Sequence, residues 1–225
     1  SDLSNAGGSV DDDALTGRAG AVYLFDNGLA PFISYATSFN PITGETSDGA
    51  LFKPSEGKQV EGGIKYQPAG WNSFITASLY QIEQTNVVAN QAVPDGGSLV
   101  REITQTGEIR SRGFELEATA SLTDGLSLVG NYTYSDVEIT QGDDTVVAGI
   151  ITATTTGNRP ANVPEHAAAL WLDYAFQPGT VLEGVSLGGG VRYIGSRFGN
   201  NANSIDLPSA TLVDLAIRYE KDDFK

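Results

Sequence analysis

Two strictly alternating runs joined by a tight turn constrain this chain more than any other feature. From Phe114 the series Phe114, Leu116, Ala118, Ala120, Leu122 interleaves with Glu115, Glu117, Thr119, Ser121. After Thr123-Asp124-Gly125, Leu126, Leu128, Gly130, Tyr132 and Tyr134 interleave with Ser127, Val129, Asn131, Thr133 and Ser135. Successive strand side chains point to opposite faces, so each run has one apolar and one mostly polar face. Asp-Gly supplies turn chemistry, because Gly tolerates positive φ and Asp bonds its own backbone. A β-hairpin is therefore predicted. Period two does not say which face is wet: a soluble sandwich or small barrel hides the apolar face inside, whereas a membrane barrel turns it outward and wets its lumen.

Composition narrows the functional classes. The 13 Lys and Arg against 28 Asp and Glu give a net charge of -15, which repels a phosphate backbone and argues against a nucleic-acid partner. There is no cysteine, which excludes disulfides, thiolate catalysis, zinc-cysteine sites and iron-sulfur ligation. The longest strictly apolar run, Ala167 to Leu172, falls far short of the roughly 20 residues of a transmembrane helix. If this chain meets a bilayer, it does so as a barrel.

The same strand and turn grammar recurs along the chain. About nine strands are predicted, near Arg18–Phe25, Ala30–Phe39, Lys58–Gln67, Trp71–Asn86, Glu108–Leu122, Leu126–Thr140, Pro164–Gln177, Val185–Phe198 and Ser209–Glu220. Several reach the roughly 9 to 11 residues that cross a bilayer when tilted. Short connections (Asp26-Asn27-Gly28, Pro68-Ala69-Gly70, Thr123-Asp124-Gly125, Pro178–Gly184) alternate with long ones (Asn40–Gly57, Val87–Gly107, Gln141–Val163, Gly199–Pro208). In an antiparallel meander this places all short turns at one end and all long loops at the other, the asymmetry of outer-membrane barrels. Phe25, Tyr66, Trp71, Tyr174, Phe176 and Tyr219 gather at the short-turn end, as an interfacial aromatic girdle would. Glu61, Lys65, Glu115, Glu117, Asp173, Arg192, Asp214 and Arg218 fall on the faces opposite the apolar series, where charges of both signs can pair in a wet lumen. The strand from Trp71 has apolar residues on both faces and is not oriented by its pattern.

The stretches "NGLAPFISYATSFNPITG", "FKPSEGKQVEGGIKYQP", "TGEIRSRGFELEATASLT", "NYTYSDVEIT", "NRPANVPEHAAALWLDY", "GVRYIGSRFGNNANS" and "LPSATLVDLAIRYE" resemble the late barrel strands of TonB-dependent siderophore receptors, ferrichrome-type hydroxamate receptors in particular. The resemblance runs in unbroken order from Asp11 to Tyr219. It implies an all-β antiparallel meander forming part of a transmembrane barrel of about 22 strands, with short periplasmic turns and long extracellular loops. Residues 1–225 would then be part of one barrel domain, without the plug and the final strands. It further implies a Gram-negative outer-membrane location and a lipid partner. Ferric siderophore is the implied ligand, with energy from the TonB complex through the plug. Iron arrives chelated, so no cofactor is expected.

Nothing in the residues reads as a catalytic centre, and no enzyme is expected. His166, the single histidine, sits at a strand start, where a structural or solvated role is the commoner one. Asp11-Asp12-Asp13 lacks the spaced oxygen ligands of an EF-hand. Gly188-Gly189-Gly190 precedes a strand, not a helix, and reads as room for a close neighbour rather than a phosphate loop. Phe39 at the mouth of its strand, Arg159 within a long loop, and Arg197 with Phe198 beside another are the candidate ligand-binding residues. Two other classes remain open on the residues alone: a soluble or surface all-β binding or adhesion module, and a β-rich hydrolase.

Overall fold

The computed structural model describes residues 15–95, 98–147 and 150–220, so the Asp11-Asp12-Asp13 run lies outside it. Its strands are β1 Arg18–Val22, β2 Leu29–Asn40, β3 Ser55–Tyr66, β4 Ser73–Asp95, β5 Ser98–Ser121, β6 Leu126–Gln141 and β7 Asp144–Val147. They continue with β8 Ile150–Thr154, β9 His166–Ala175, β10 Val185–Ile194, β11 Arg197–Phe198, β12 Asp206–Leu207 and β13 Ala210–Tyr219. One sheet runs β1-β2-β3-β4-β5-β6-β9-β10-β13, each strand antiparallel to the next, and β11 with β12 forms a separate small ribbon. Each predicted strand maps onto one member of that path, with Val185–Phe198 split into β10 and β11.

Two long connections carry more structure than their sequence implies. Val87–Gly107 is not a loop: β4 and β5 continue through it as a tall hairpin, with Asp95 opposite Ser98. Polar Asn86 looks like a strand end, but it sits at a register shift between Gln84 and Val87 with φ at 57°. A bulge bends a ladder without ending it, and the β-branched Val87, Val88 and Ile103 resume the extended backbone. Gln141–Val163 holds the hairpin of β7 and β8, built from similarly β-branched residues.

The register sorts every strand into two faces, because directly opposed residues share one. A mid-height row of the first face reads Ile64, Ala77, Leu116, Tyr132, Ala168, Tyr193; a row nearer the short turns reads Ala120, Leu128, Leu172, Gly189, Leu215. The second face carries Glu61, Tyr80 and Gly113 in one row and Thr76, Glu117, Asn131, Ala169, Arg192 in another. This orients the ambiguous β4: Ile75, Ala77 and Leu79 join the apolar face, while Phe74, Tyr80 and Ile82 join the polar one.

No second layer packs on either face among the described residues. Among the described residues the buried apolar ones are only Ala30, Ala89, Ala120 and Ile139, whereas Val213, Leu215 and Ile217 are 73%, 84% and 79% exposed. A soluble sandwich buries such residues between two sheets. Among the described residues this sheet is a single-layer wall whose apolar face has no protein against it.

The polar face is held by interlocking shapes. The Tyr80 ring lies over Gly113, where an added Cβ would meet its Cζ at 2.5 Å and also strike the Tyr134 carbonyl oxygen; the Tyr80 hydroxyl reaches Ser135 Oγ at 2.9 Å. Trp171 lies across Gly188 and Gly190, a Cβ on the latter meeting the indole Cε3 at 2.5 Å. The close neighbour that this glycine run admits is thus a side chain of the adjoining strand. At the Thr123-Asp124-Gly125 turn the glycine is not used for positive φ; a Cβ there would meet the Ala175 carbonyl oxygen at 2.5 Å.

Candidate functional site

Height along the sheet places the site. On β6, Tyr134 stands eight residues above Leu126, roughly 27 Å along the strand at about 3.4 Å per residue. The apolar face has Tyr66, Tyr174 and Tyr219 at its lower end. An upper aromatic row stands opposite: Phe114 beside Tyr134, and Tyr134 beside His166. His166 stacks on the Tyr132 ring at 6.1 Å and lies 5.2 Å from that of Tyr134, and its Nδ1 is 2.9 Å from the Tyr132 hydroxyl. The sequence reading found the lower girdle and missed the upper one, whose signal was the Tyr-x-Tyr pair aligned with a strand-starting histidine.

Above that row the same face turns charged. Arg112 sits between Gln81 and Asp136, and Arg110 between Glu83 and Glu138. Arg112 Nε donates to Gln81 Oε1 at 2.9 Å, and Arg110 is ion-paired with Glu138. A strip of apolar residues bounded by two aromatic rows and capped by charge is the profile of a bilayer-spanning strand wall, whose apolar band is about 25 Å tall. On the opposite face, Arg192 forks onto Asp214 at 2.9 and 3.2 Å, and Arg218 pairs with Asp173 across β10.

The loops at the charged end are fastened by side chains. Ser47 exchanges hydrogen bonds with Ile103: its backbone N–H donates to the Ile103 carbonyl at 2.9 Å, and its Oγ accepts from the Ile103 N–H at 2.7 Å. Gln105 Oε1 accepts from the Lys53 N–H at 2.7 Å, and its Nε2 donates to the carbonyls of Lys53 and of Asn86. Loop 41–54 is thereby pinned to β5. In the same loop Asp48 is held below the usual carboxylate range, first by the Thr46 hydroxyl and then by the Ala50 N–H.

A second set of contacts joins loop 155–165 to the ribbon of β11 and β12. Asn203 clamps Arg159 from both sides, accepting from its N–H at 2.9 Å and donating to its carbonyl at 2.7 Å. Asn201 Oδ1 accepts from the Ala161 N–H at 2.9 Å, and its carbonyl accepts from Asn158 Nδ2 at 3.0 Å. The Asn162 N–H donates to the Phe198 carbonyl at 2.7 Å. Asn162 and Asn203 hold φ at 64° and 52°, the left-handed region that asparagine tolerates better than most residues.

The four candidate ligand residues separate. Arg159, Arg197 and Phe198 come together in this clasp, whereas Phe39 lies near the top of β2 on the apolar-series face, opposite Glu56. The Arg159 side chain is only 16% exposed and is occupied by Glu165 at 2.7 Å and Asp136 at 4.0 Å. Arg197 makes no ion pair among the described residues. Sequence reading found the arginines but not the asparagines that gather them. Among the described residues no cluster of three His, Asp or Glu is arranged to hold a metal.

The family described as "TonB dependent receptor-like, beta-barrel" matches residues 1–224. The chain belongs to this family of TonB-dependent receptors. Its strands are therefore part of a barrel of the Gram-negative outer membrane, and barrels of that class turn their apolar face outward and line their interior with the polar one. The chain is 44% identical over 210 residues to the ferrichrome outer membrane transporter/phage receptor of Escherichia coli, covering 93% of this chain and 26% of that protein. It is 36% identical to the ferrioxamine B receptor of Salmonella typhimurium, with 97% and 29% covered. The solved siderophore receptor PiuA of Acinetobacter baumannii superposes with a TM-score of 0.73 at 25% identity, over 92% of this chain and 30% of that one. The chain thus spans less than a third of each of these relatives.

Proposed function

We propose that this wall belongs to a receptor that takes up ferric siderophores of the hydroxamate class, of which ferrichrome and ferrioxamine B are the examples borne by its relatives. The observation that supports this best is the 44% identity to a ferrichrome transporter, which extends across 93% of the chain. Uptake is energised through TonB acting on the plug region of the complete receptor. The work is binding and passage, with no covalent chemistry, and iron enters as part of the chelate without protein ligation.

Capture takes place at the long-loop end, above the charged row. Arg197 and Phe198 make the direct contacts: Arg197 has no carboxylate partner among the described residues, and Phe198, the next residue of β11, offers an aromatic ring from the ribbon's other face. A guanidinium with free donors suits the oxygen-rich periphery of a hydroxamate chelate. Arg159, already occupied by two carboxylates, supports the loop that carries it.

Uptake of radiolabelled iron tests the reading, in an iron-starved Gram-negative host stripped of its own hydroxamate receptors and given the complete receptor. Ferrichrome-borne or ferrioxamine-borne iron should enter, and deletion of tonB should abolish entry. Uptake of a ferric catecholate with neither hydroxamate would overturn the substrate class. Uptake that persists without TonB would overturn the energy source.

A further inference from the structure

We infer that loop 155–165 and the ribbon of β11 and β12 move as one jaw at the receptor rim, and that Asn203 is the residue positioning Arg197 and Phe198 for capture. The inference rests on the reading that a ferric hydroxamate is caught there.

The ribbon's own ladder is short. Arg197 pairs with Leu207 and Phe198 with Asp206, the Gly199 N–H donates to the Ile205 carbonyl, and Asn200 and Ser204 bond each other at the tip, which is little for independent stability. What fixes it lies across the gap. Asn203 bonds both backbone groups of Arg159, and Asn201 bonds Ala161 and Asn158. The Phe198 carbonyl itself is taken by Asn162, so the backbone of one proposed contact residue is anchored to the neighbouring loop.

That loop in turn is tied to the wall. The Gly157 N–H donates to the Ile139 carbonyl and the Ile139 N–H to the Asn158 carbonyl, each at 2.8 Å, and Arg159 pairs with Glu165 and Asp136. A continuous path therefore runs from β6 through loop 155–165 to Arg197 and Phe198. Asn203 is its narrowest point, because one amide supplies both bonds to Arg159 and also reaches the Asn200 carbonyl at 3.3 Å. Separating the two loops breaks the Asn203, Asn201 and Asn162 bonds together, whereas moving them jointly leaves those bonds intact.

Asn203→Gly isolates the amide, since glycine keeps the left-handed backbone without strain and removes only the side chain. In the complete, membrane-embedded receptor this variant should weaken ferrichrome binding about tenfold, the worth of one or two hydrogen bonds, with the barrel's heat-modifiable gel mobility unchanged. Arg197→Ala should weaken it similarly. The double variant should lose little more than either single one, because a displaced Arg197 has already lost its contact. Parent-like binding by Asn203→Gly, or fully additive losses, would overturn the positioning role. If Arg197→Ala and Phe198→Ala both bind ferrichrome as the parent does, the capture reading of this rim fails first and the inference with it.

The one-jaw claim has its own readout. Ala161→Cys with Asn201→Cys, joined by a disulfide, should transport within about twofold of the reduced form, since the link spans groups that already touch. A receptor that binds but stops transporting when oxidised, and recovers on reduction, would show that the loops must part.

Discussion

The two faces of this wall are made by the same strands and hold themselves in different ways. On the membrane face, Ile64, Leu116, Leu128, Leu172 and Ile217 need only be apolar, because lipid fills whatever shape they present. On the lumen face, Tyr80 must find Gly113, Trp171 must find Gly188 and Gly190, and Arg192 must find Asp214. The first face depends on its solvent, a non-directional condition satisfied by many side chains. The second depends on complementary shapes and directed bonds, which few substitutions preserve. Tolerance to change should therefore divide by face and not by strand.

The division breaks outright if the faces are assigned the wrong way round. Spin labels at Leu116, Leu128 and Leu187 should be accessible to a lipid-soluble relaxant, and labels at Glu117, Asn131 and Arg192 to a water-soluble one. The reverse pattern would undo the membrane assignment. Next in size is a charge placed on the lipid side: Leu170→Arg, midway up the apolar band, should destabilise the folded receptor by about 2–4 kcal/mol in reversible folding into bilayers, against a far smaller loss for Leu170→Ala.

Gly113→Val tests the other face. Its side chain displaces the Tyr80 ring and presses the Tyr134 carbonyl, and a cost of about 1–3 kcal/mol is expected in the same folding assay. Equal tolerance of valine at Gly113 and at Gly189, where a Cβ would find Leu215 at an ordinary 3.5 Å, would erase the contrast. Smaller again is Arg192→Met, which removes an exposed ion pair and should move the unfolding midpoint less than Gly113→Val does.

The smallest effect lies above both faces. The Asp48 pKa is depressed in the folded loop, so the contribution of its bonds is present above the ordinary carboxylate pKa of 3.8 and is lost as pH falls through the lower folded value. Amide exchange at Ala50, corrected for intrinsic rate, should be protected at neutral pH and lose that protection only below pH 3.8. Asp48→Asn should remove this pH step.

The charged row above the upper aromatic row marks where sequence reasoning stopped short. The sequence pattern bounds β4 at Asn86 and β5 at Glu108 and leaves Val87–Gly107 as a loop. In β4 and β5 the ladder instead climbs past the membrane into water, where period-two apolarity no longer has a reason to persist. Asn86 has the residue type of a turn, and only the register shift beside it shows a bulge. The asparagine clasp was illegible for another reason: Asn158, Asn162, Asn201 and Asn203 are ordinary loop residues in the sequence, and their meaning lies in partners 36 to 44 positions away.

What the amino-acid sequence determined by itself is local and periodic. It set the nine strands of the main path, the short turns, the apolar side of each of them but β4, and the family the chain resembles. These follow from backbone geometry and side-chain polarity, which act over two to four residues. Only the tertiary structure decided the orientation of β4, the rings seated on glycines, the height at which the apolar face turns charged, and the gathering of Arg159, Arg197 and Phe198. Each of these depends on cross-strand register or on contact between loops distant in sequence, where hydrogen bonds and close packing act only between groups that folding has already brought together.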